Sequence, residues 1–518
     1  MTIKFGPILN FRGGSDTVWK VGVLVGTDAA TPPALGWEAG GKSGKPAATP
    51  LANSGNGGAG LSLWRFDCDV PRGAKPVVAS HSVNGAKWNF AVPARDSAPA
   101  MAYASCNGFS AMKLMKSTSV PNALWDKLNA KHAQAPFHLL LMGGDQIYFD
   151  STWEEIPELQ DWAALPTAKG VKVTPAQKMK VLLRDYYRGL YPKRWSQAAP
   201  AQAFATIPTL MMWDDHDIFD GWGSYPSAPH DLQGCAVYRE IFGHARDNFA
   251  LYQQQCAPGK RHPLALAGQD KFSFGCRVGS VAILAPDMRS ERSETQVLSP
   301  ESWKTIFDWL EELPASGAKG GGVKHLFVMS SIPVVYPDFS MLEGMLGFFP
   351  GRQELGDDLK DHWTSVPHRQ ERLRLIHRLL DFGARKKCRV TLLSGDVHVG
   401  AVGVIQSGRY GADHPAAQVV NQLTSSGIVH PAPPGMVLFF LENVVGKSMS
   451  DDREITSEIV QIPGTQHHFI GARNFLALQP DAEDRYWANW HLESESHPYT
   501  KAIHPVGFKM GAAKLPEQ

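Results

Sequence analysis

Residues 137–145 read FHLLLMGGD, a short apolar run that ends in two glycines and an aspartate. Four later runs have the same form, in which apolar residues are followed at once by polar ones: TLMMWDDHD (209–217), VAILAPDMR (281–289), HLFVMSS (325–331) and RVTLLSGDVH (389–398). Continuous apolar runs of this length are typical of strands that are buried on both faces by helices. The sequence therefore predicts an α/β or α+β fold, a sandwich of sheets that is covered by helices.

Helical patterns separate these predicted strands. Ser299 and Pro300 have the form of an N-cap and a first helical residue, and apolar residues follow on one helix face from Trp303 to Leu310. A second helix is predicted over residues 372–387, with Gly383 near its end.

Residues 1–97 differ from the rest, and we predict a small β-rich N-terminal domain there, before a main domain at 98–518. Runs rich in Val, Trp and Phe at 18–25, 61–66 and 88–92 predict strands. Residues 29–60 are crowded with Ala, Gly, Pro and Ser, which predicts a long loop or flap. Within it, GWEAGGKS (36–43) has the letters of a P-loop. It lacks the preceding strand and following helix that would cradle phosphates, so we do not assign it that role.

The composition excludes several classes of protein. With 43% hydrophobic and 19% charged residues among 518, the chain as a whole is not disordered. The 51 Lys and Arg residues balance 50 Asp and Glu residues, which argues against a dedicated nucleic-acid partner. Six cysteines without a CxxC pair are typical of buried thiols in a reducing compartment. The sequence opens without a signal peptide and has no run long enough to span a bilayer, so we expect a cytoplasmic protein with no membrane partner.

Acidic residues and histidines gather where the predicted strands end. Asp145 follows one strand, the group Asp214 to Asp217 follows another, and Asp396 and His398 follow a third. Ligands of open α/β sheets bind beyond the carboxyl ends of strands, so these side chains can converge on one or two cations. Aspartate after a strand is also an ordinary turn residue, and for a single strand that simpler interpretation is preferable. Three such ends with histidine among them favour a metal site.

The same blocks carry a family resemblance. GGDQIY (143–148), WDDHD (213–217) and SGDVH (394–398), in this order, resemble the PhoD-like alkaline phosphatases, a branch of the calcineurin-like metallophosphoesterases. Ser105-Cys106 and Asp287-Met288-Arg289 resemble two further blocks, and the resemblance covers about residues 98–480. It implies a metallophosphoesterase-type β-sandwich core and the hydrolysis of small phosphomonoesters, by water that metal ions activate. A phosphodiesterase for nucleotide or phospholipid esters and an inactive metal-binding or regulatory protein are the alternatives.

The resemblance also implies roles for individual residues. An Fe³⁺ site with Ca²⁺ beside it is expected, with Zn²⁺ or Mn²⁺ as other choices, and the ligands would be Cys106, Asp145, Asp215, Asp220, Asp396 and His398. Thiolate and imidazole favour a transition metal, whereas Ca²⁺ takes oxygen ligands. His216 would serve as general acid or as an electrostatic stabiliser near the leaving group, and Arg289 as a phosphate clamp. The segments 152–208 and 333–367 are expected to be loops that select the ester.

Some positions depart from the family, and some roles have a simpler alternative. The family carries a tyrosine two residues after its cysteine, where this chain has Gly108, and an amide where it has Asp220. Cys106 could be a buried apolar residue, Asp220 could cap a turn, and Arg289 could pair with Asp287. Asp214 is expected to be structural, because the alignment of motifs gives the metal to Asp215. The oligomeric state is left open.

Overall fold

The computed structural model describes residues 2–53, 60–267, 271–337, 363–409 and 415–507. The strands of the described residues are β1 (Ile3–Gly14), β2 (Val18–Thr27), β3 (Leu35–Ala39), β4 (Lys42–Gly44), β5 (Ala48–Ala52), β6 (Ser62–Pro71), β7 (Val77–Val83), β8 (Ala86–Val92), β9 (Met101–Ala104), β10 (Leu139–Gly143), β11 (Thr209–Met212), β12 (Phe274–Val278), β13 (Val281–Ala285), β14 (His325–Met329), β15 (Arg389–Ser394), β16 (Gly400–Ser407), β17 (Val419–Thr424), β18 (Ser448–Asp452), β19 (Ile455–Val460), β20 (Phe469–Ile470), β21 (Asn474–Pro480), β22 (Tyr486–Leu492) and β23 (Tyr499–Ile503). The α-helices of the same residues are α1 (Met112–Ser117), α2 (Ala123–Gln134), α3 (Thr152–Glu155), α4 (Pro157–Ala163), α5 (Thr167–Gly170), α6 (Gln177–Trp195), α7 (Ala198–Thr206), α8 (Ala236–Asn248), α9 (Pro300–Glu312), α10 (Arg369–Lys386) and α11 (Gly435–Asn443).

The first sheet has ten strands in the order β23-β22-β21-β9-β10-β11-β1-β2-β6-β5. Its centre is a parallel run of β9, β10, β11 and β1, and antiparallel strands extend it on both sides. Strand β10 shows why its apolar run is continuous. Leu139 and Leu141 belong to the core shared with the second sheet, whereas Leu140 and Met142 pack with the helices on the outer face.

The second sheet runs β12-β13-β14-β15-β17-β16-β19-β18, and β20 pairs with β16. Strands β13, β14, β15 and β17 are parallel. Apolar residues of both sheets and of α9 and α10 form one buried cluster that includes Leu141, Phe327, Leu392, Ile306 and Ile376. The predicted fold, a sandwich of sheets flanked by helices, is confirmed.

Strands on both sides of the boundary predicted at residue 97 pair in the first sheet, because β1 lies parallel to β11 with Asn10 opposite Thr209. Strands β4, β3, β7 and β8 form a separate four-stranded sheet. The division of the chain into 1–97 and 98–518 stays a prediction.

The prediction of a long loop over residues 29–60 is wrong for about half of the described part of that segment, and residues 54–59 lie outside the described residues. It contains β3, β4 and β5. Strand β3 pairs with β7 and buries Leu35 and Ala39. Because the residues around these two are mostly small, the strand pattern was not recognised in the sequence. Gly40 and Gly41 both have positive φ angles and turn β3 into β4, the geometry of a two-residue hairpin. The segment with the P-loop letters is therefore a β-hairpin, which agrees with the decision not to assign it a phosphate-binding role.

The helix predictions from periodicity are confirmed, whereas a predicted loop is not. Helix α9 begins at Pro300, and the Ser299 hydroxyl accepts a hydrogen bond from the Ser302 backbone N–H; α10 begins three residues before its predicted start. The segment 152–208 is largely helical, from α3 to α7, because aromatic side chains of α6 such as Tyr187 and Tyr191 fill the outer core. Part of the other predicted loop, 338–362, lies outside the described residues. Within the described part of the chain, no helix has the length and apolar character needed to cross a bilayer.

Candidate metal centre

The predicted site residues follow strands of both sheets. In the first sheet Cys106 follows β9, Asp145 follows β10, and Asp215 follows β11. In the second sheet Arg289 follows β13, and Asp396 and His398 follow β15. An isolated parallel bridge between Ser105 and Gly427 joins the segments after β9 and β17, so the two sheets meet at the site.

The backbone at the site is strained in a consistent way. Cys106, Asp145, Asp396 and His398 have φ angles of 50°, 52°, 68° and 54°, in the left-handed region that residues with a side chain rarely adopt. Such conformations cost about 1–3 kcal/mol each and persist only where the surrounding structure holds them. Their concentration on four predicted ligands points to a functional site rather than to ordinary turns.

A cluster of carboxylates forms the centre of the site. Asp145, Asp215 and His216 offer ligand atoms within 4.8 Å of one another, and so do Asp145, Asp214, Asp215 and Asp396. Burial raises the pKa of Asp145 well above its usual value, and the nearby carboxylates of Asp214 and Asp215 raise it further. One of its oxygens, Oδ1, is buried without a hydrogen-bond partner among the described residues. Cations would satisfy that oxygen and offset the repulsion, so the residues fit a metal centre.

Asp214 and Asp215 therefore both lie in the cluster, and the expectation that Asp214 is the structural one of the two stays a prediction. Gly144 has a φ of 105°, and a Cβ there would lie 3.0 Å from the Cβ of Asp214. A glycine at this position thus lets the segments after β10 and β11 approach each other.

Cys106 and His398 lie beside this cluster but outside its two groups. The Cys106 thiol donates to Asp145 Oδ2 over 3.6 Å, and burial raises the pKa of the thiol well above its usual value. Burial lowers the pKa of His398, and the neighbouring His430 and His216 lower it further. A neutral imidazole is the form that binds metal ions.

Arg289 is fully buried, and its guanidinium reaches the carboxylates of the cluster. It donates to Asp214 Oδ1 through Nε, to Asp215 Oδ1 over 3.2 Å through Nη2, and to the Trp222 carbonyl over 2.8 Å through Nη1. The alternative in which its side chain pairs with Asp287 is wrong, since Asp287 Oδ1 accepts the Trp213 indole N–H and the Arg289 backbone N–H. The phosphate-clamp role stays a prediction.

His216 is held by a carboxylate that sequence reasoning missed. Its Nδ1 lies 2.9 Å from Asp150 Oδ2, and Asp150 Oδ1 accepts the Asp220 backbone N–H over 2.8 Å. Burial alone would lower the pKa of His216, but Asp150 and Asp215 outweigh that effect and raise it well above its usual value. Asp150 lies five residues after Asp145 in the same stretch of sequence, and this short spacing could have identified it as a candidate site residue.

Asp220 is placed differently from the other predicted ligands. It lies outside both carboxylate groups of the described residues, and its carbonyl accepts the Tyr225 hydroxyl over 2.8 Å. Its assignment as a ligand stays a prediction. Asp217 is structural, because its carboxylate accepts backbone N–H groups of Asp214 and Gln146 and the Gln253 amide.

Two aromatic residues at the site were also missed, Tyr148 and His430. The Tyr148 ring stacks on His216 at a centroid distance of 4.3 Å, and the His430 ring stacks on His398 at 3.6 Å. His430 is fixed by Ser110 Oγ, 3.2 Å from its Nε2, and by the Pro431 carbonyl. Tyr148 is the last residue of the GGDQIY block, which was the available signal, whereas the distant contacts of His430 leave no local pattern.

Comparisons with known proteins agree with this geometry. The model of the PhoD related phosphatases matches residues 74–350 and 339–450. The uncharacterized protein YGR266W of Saccharomyces cerevisiae is 29% identical over 402 residues, which are 66% of this chain and 56% of that protein, so the chain spans about half of this curated relative.

Two solved structures resemble the chain. The structure of PhoD has a TM-score of 0.55 at 13% identity and covers 96% of this chain and 89% of its own, which shows the fold alone. A dimetal phosphatase from Danio rerio has 10% identity over 79% of this chain and all of its own, but its TM-score of 0.34 is too low to carry weight. The family model covers well over half of the residues, so the resemblance of the strand-end motifs is confirmed: the chain belongs to the family of PhoD related phosphatases.

Proposed function

We propose that this protein is a metal-dependent phosphohydrolase that hydrolyses phosphomonoesters of small molecules. The observation that carries the proposal is the convergence of Asp145, Asp214, Asp215 and Asp396, whose ligand atoms lie within 4.8 Å of one another. Four carboxylates at this separation, three of them buried, require compensating positive charge, and Arg289 and a protonated His216 supply only two. The family supports a phosphoesterase, and the preference for monoesters is the finer part of the proposal.

The ligands are proposed in two sets that share Asp145. Cys106, Asp396 and His398 would hold a transition metal, which we propose to be Fe³⁺, since thiol and imidazole donors suit such an ion. Asp215 and Asp220 would hold Ca²⁺, which prefers oxygen. When bound, a metal pair at such a site lowers the pKa of water and neutralises charge on the phosphoryl oxygens.

The chain's own groups supply the proton and the orientation. His216 would donate a proton from Nε2 to the leaving oxygen, because its Nδ1 is held by Asp150. The carboxylate of Asp150 fixes the plane of the imidazole and stabilises its charged form. Arg289 would position Asp214 and Asp215, since its donors already point at them.

The proposal is tested with p-nitrophenyl phosphate and bis-p-nitrophenyl phosphate as a pair of substrates. We expect faster turnover of the monoester, its loss after chelation, and its return when Fe³⁺ and Ca²⁺ are added. Asp145→Asn should abolish turnover and keep the fold, whereas Asp96→Asn, at an 89% exposed side chain, should leave both turnover and fold unchanged. Elemental analysis of the purified protein identifies the ions.

The other candidate functions are outcomes of the same test. Faster hydrolysis of the diester would make the protein a phosphodiesterase. Bound metal without turnover of either ester would indicate the regulatory alternative. Full activity after exhaustive chelation would refute the proposal.

A further inference from the structure

A small cavity lies beside the candidate metal centre and has no role in the mechanism above. Its volume is about 160 Å³, which holds several water molecules and admits a small chemical group rather than a whole nucleoside. Of the described residues that line it, Arg194 alone is charged. The lining of the cavity is therefore positive.

Two parts of the wall place this cavity next to predicted metal ligands. Asn107 directly follows Cys106, and its backbone N–H donates to the Asp145 carbonyl over 2.7 Å. Trp195 forms another part of the wall, and its indole donates over 3.0 Å to the carbonyl of Gln146, the residue after Asp145. The cavity is therefore close to where a group attached to a bound phosphate ester would lie.

Arg194 has no carboxylate beside it in this cavity. It lies in the last turn of α6, within the segment 152–208 that is expected to select the ester. It donates to the thioether sulfur of Met115 over 3.0 Å, and sulfur is a weak acceptor. In the part of the chain that the structure describes, no acidic residue lines the cavity. The guanidinium therefore keeps donors for a planar anion, which such a group binds through two parallel hydrogen bonds.

An amide in the same wall adds a donor whose orientation is fixed. Asn107 Oδ1 accepts the indole N–H of Trp125 over 2.9 Å. Because an indole nitrogen only donates, this bond identifies the amide oxygen and leaves Nδ2, with its two hydrogens, for another acceptor. A carboxylate in the cavity would thus meet a guanidinium and an amide, and no like charge among the described lining residues.

We propose that this cavity binds a carboxylate carried by the leaving group of the substrate, and that Arg194 is the residue that recognises it. The inference rests on the proposed function and names its substrate class, phosphomonoesters that also carry a carboxylate. One guanidinium matches the single charge of a carboxylate, whereas a second phosphate dianion would leave negative charge in the cavity. The competing interpretation is that Arg194 only holds α6 against Met115.

Paired substrates separate the two interpretations. The metal-loaded full-length protein is given ω-carboxyalkyl phosphates of increasing chain length, each beside the alkyl phosphate of the same length. At one length we expect the wild type to favour the carboxylate by about tenfold or more in kcat/KM, because hydrogen bonds to charged groups are strong. Arg194→Gln should reduce that ratio to about one. A purely structural role would lower kcat/KM for both substrates alike and keep the ratio.

Two further variants guard the test. Lys193→Gln is the matched control, because Lys193 is the preceding residue of α6, is exposed, and does not line the cavity; the variant loses one positive charge and should keep the wild-type ratio. Arg194→Lys keeps the charge but loses the planar fork, so its ratio should fall between those of the wild type and Arg194→Gln.

Binding of the corresponding phosphonates, which the enzyme cannot hydrolyse, distinguishes this inference from the function on which it rests. A wild type that hydrolyses alkyl phosphates but prefers no carboxylate, or whose preference survives in Arg194→Gln, overturns the inference and leaves the function intact. A wild type that hydrolyses no ester, but binds a carboxyalkyl phosphonate more tightly than the alkyl phosphonate and loses this difference in Arg194→Gln, keeps the carboxylate site and overturns the function. A protein with neither turnover nor such a difference in binding overturns both.

Discussion

Replacement of Arg289 by methionine should unbalance the charges of the metal centre. The guanidinium is 0% exposed, and its partners Asp214 and Asp215 are 1% and 5% exposed, so neither carboxylate can turn to water when the cation is removed. Breaking a buried ion pair by removing one partner costs about 3–5 kcal/mol of unfolding free energy. We expect the unfolding free energy of Arg289→Met to be lower than that of the wild type by that amount when a chelator is present.

Metal ions should return part of this loss. With the guanidinium gone, the carboxylates attract a cation more strongly, and a ligand that binds the folded state stabilises it in proportion to its affinity. We expect Ca²⁺ to add more unfolding free energy to this variant than to the wild type, by about 1–2 kcal/mol, which corresponds to roughly five- to thirtyfold tighter binding. Urea unfolding followed by tryptophan fluorescence, with and without Ca²⁺, measures both numbers.

Arg372→Met is the matched control for this experiment. Arg372 is 2% exposed and pairs with Asp451, which is 0% exposed, away from the carboxylate cluster. Its loss should cost a similar free energy, but the gain from Ca²⁺ should equal that of the wild type. Equal gains in all three proteins would refute the assignment of Arg289 as the counter-charge of the metal ligands.

Three other predictions concern single side chains. Asp150→Asn should lower kcat for p-nitrophenyl phosphate about 10²–10⁴-fold, because His216 loses the carboxylate 2.9 Å from its Nδ1; exposed Asp161→Asn should not. Asp220→Asn should weaken the binding of Ca²⁺ about tenfold or more in calorimetry and leave the binding of Fe³⁺ unchanged. An unchanged Ca²⁺ affinity would remove Asp220 from the ligand set. Burial lowers the pKa of His81 from 6.5 to about 4 in the folded protein, so the unfolded chain takes up its proton first as the pH falls. His81 should therefore account for about 3 kcal/mol of the stability that is lost between pH 6.5 and 4, and His81→Gln should make the loss smaller by that amount in urea unfolding.

The parts of the fold with strong local patterns could be predicted from the sequence. Strand β14 spans the predicted residues 325–329, because an apolar run that is buried on both faces has a clear beginning and end. The hairpin of β3 and β4 could not be recognised in this way. Its short strands carry glycine and exposed polar residues, and their pairing with β7 depends on residues some forty positions away.

The residues of the candidate site also differ in whether a local sequence pattern indicates them. Asp145, Asp215 and Asp396 could be proposed because each closely follows an apolar strand, a relation within a few residues. His430 could not, since its place depends on a contact between the segments after β10 and β17, whereas Tyr148 stands in the same motif as Asp145 and was passed over. The position of Arg289 against Asp214 likewise depends on how the two sheets pack, which no local pattern encodes.

The order of strands in the first sheet has a consequence for synthesis of the chain. Strand β9, which leads to Cys106, pairs on one side with β10 and on the other with β21, so that Tyr103 lies opposite Leu476. A ribosome would have to deliver hundreds of further residues before that second edge is covered. Until then β9 has an unpaired edge and exposes residues that are buried in the folded protein, and such an edge promotes aggregation. We therefore expect expression of chains that stop before residue 474 to yield chaperone-bound or insoluble material.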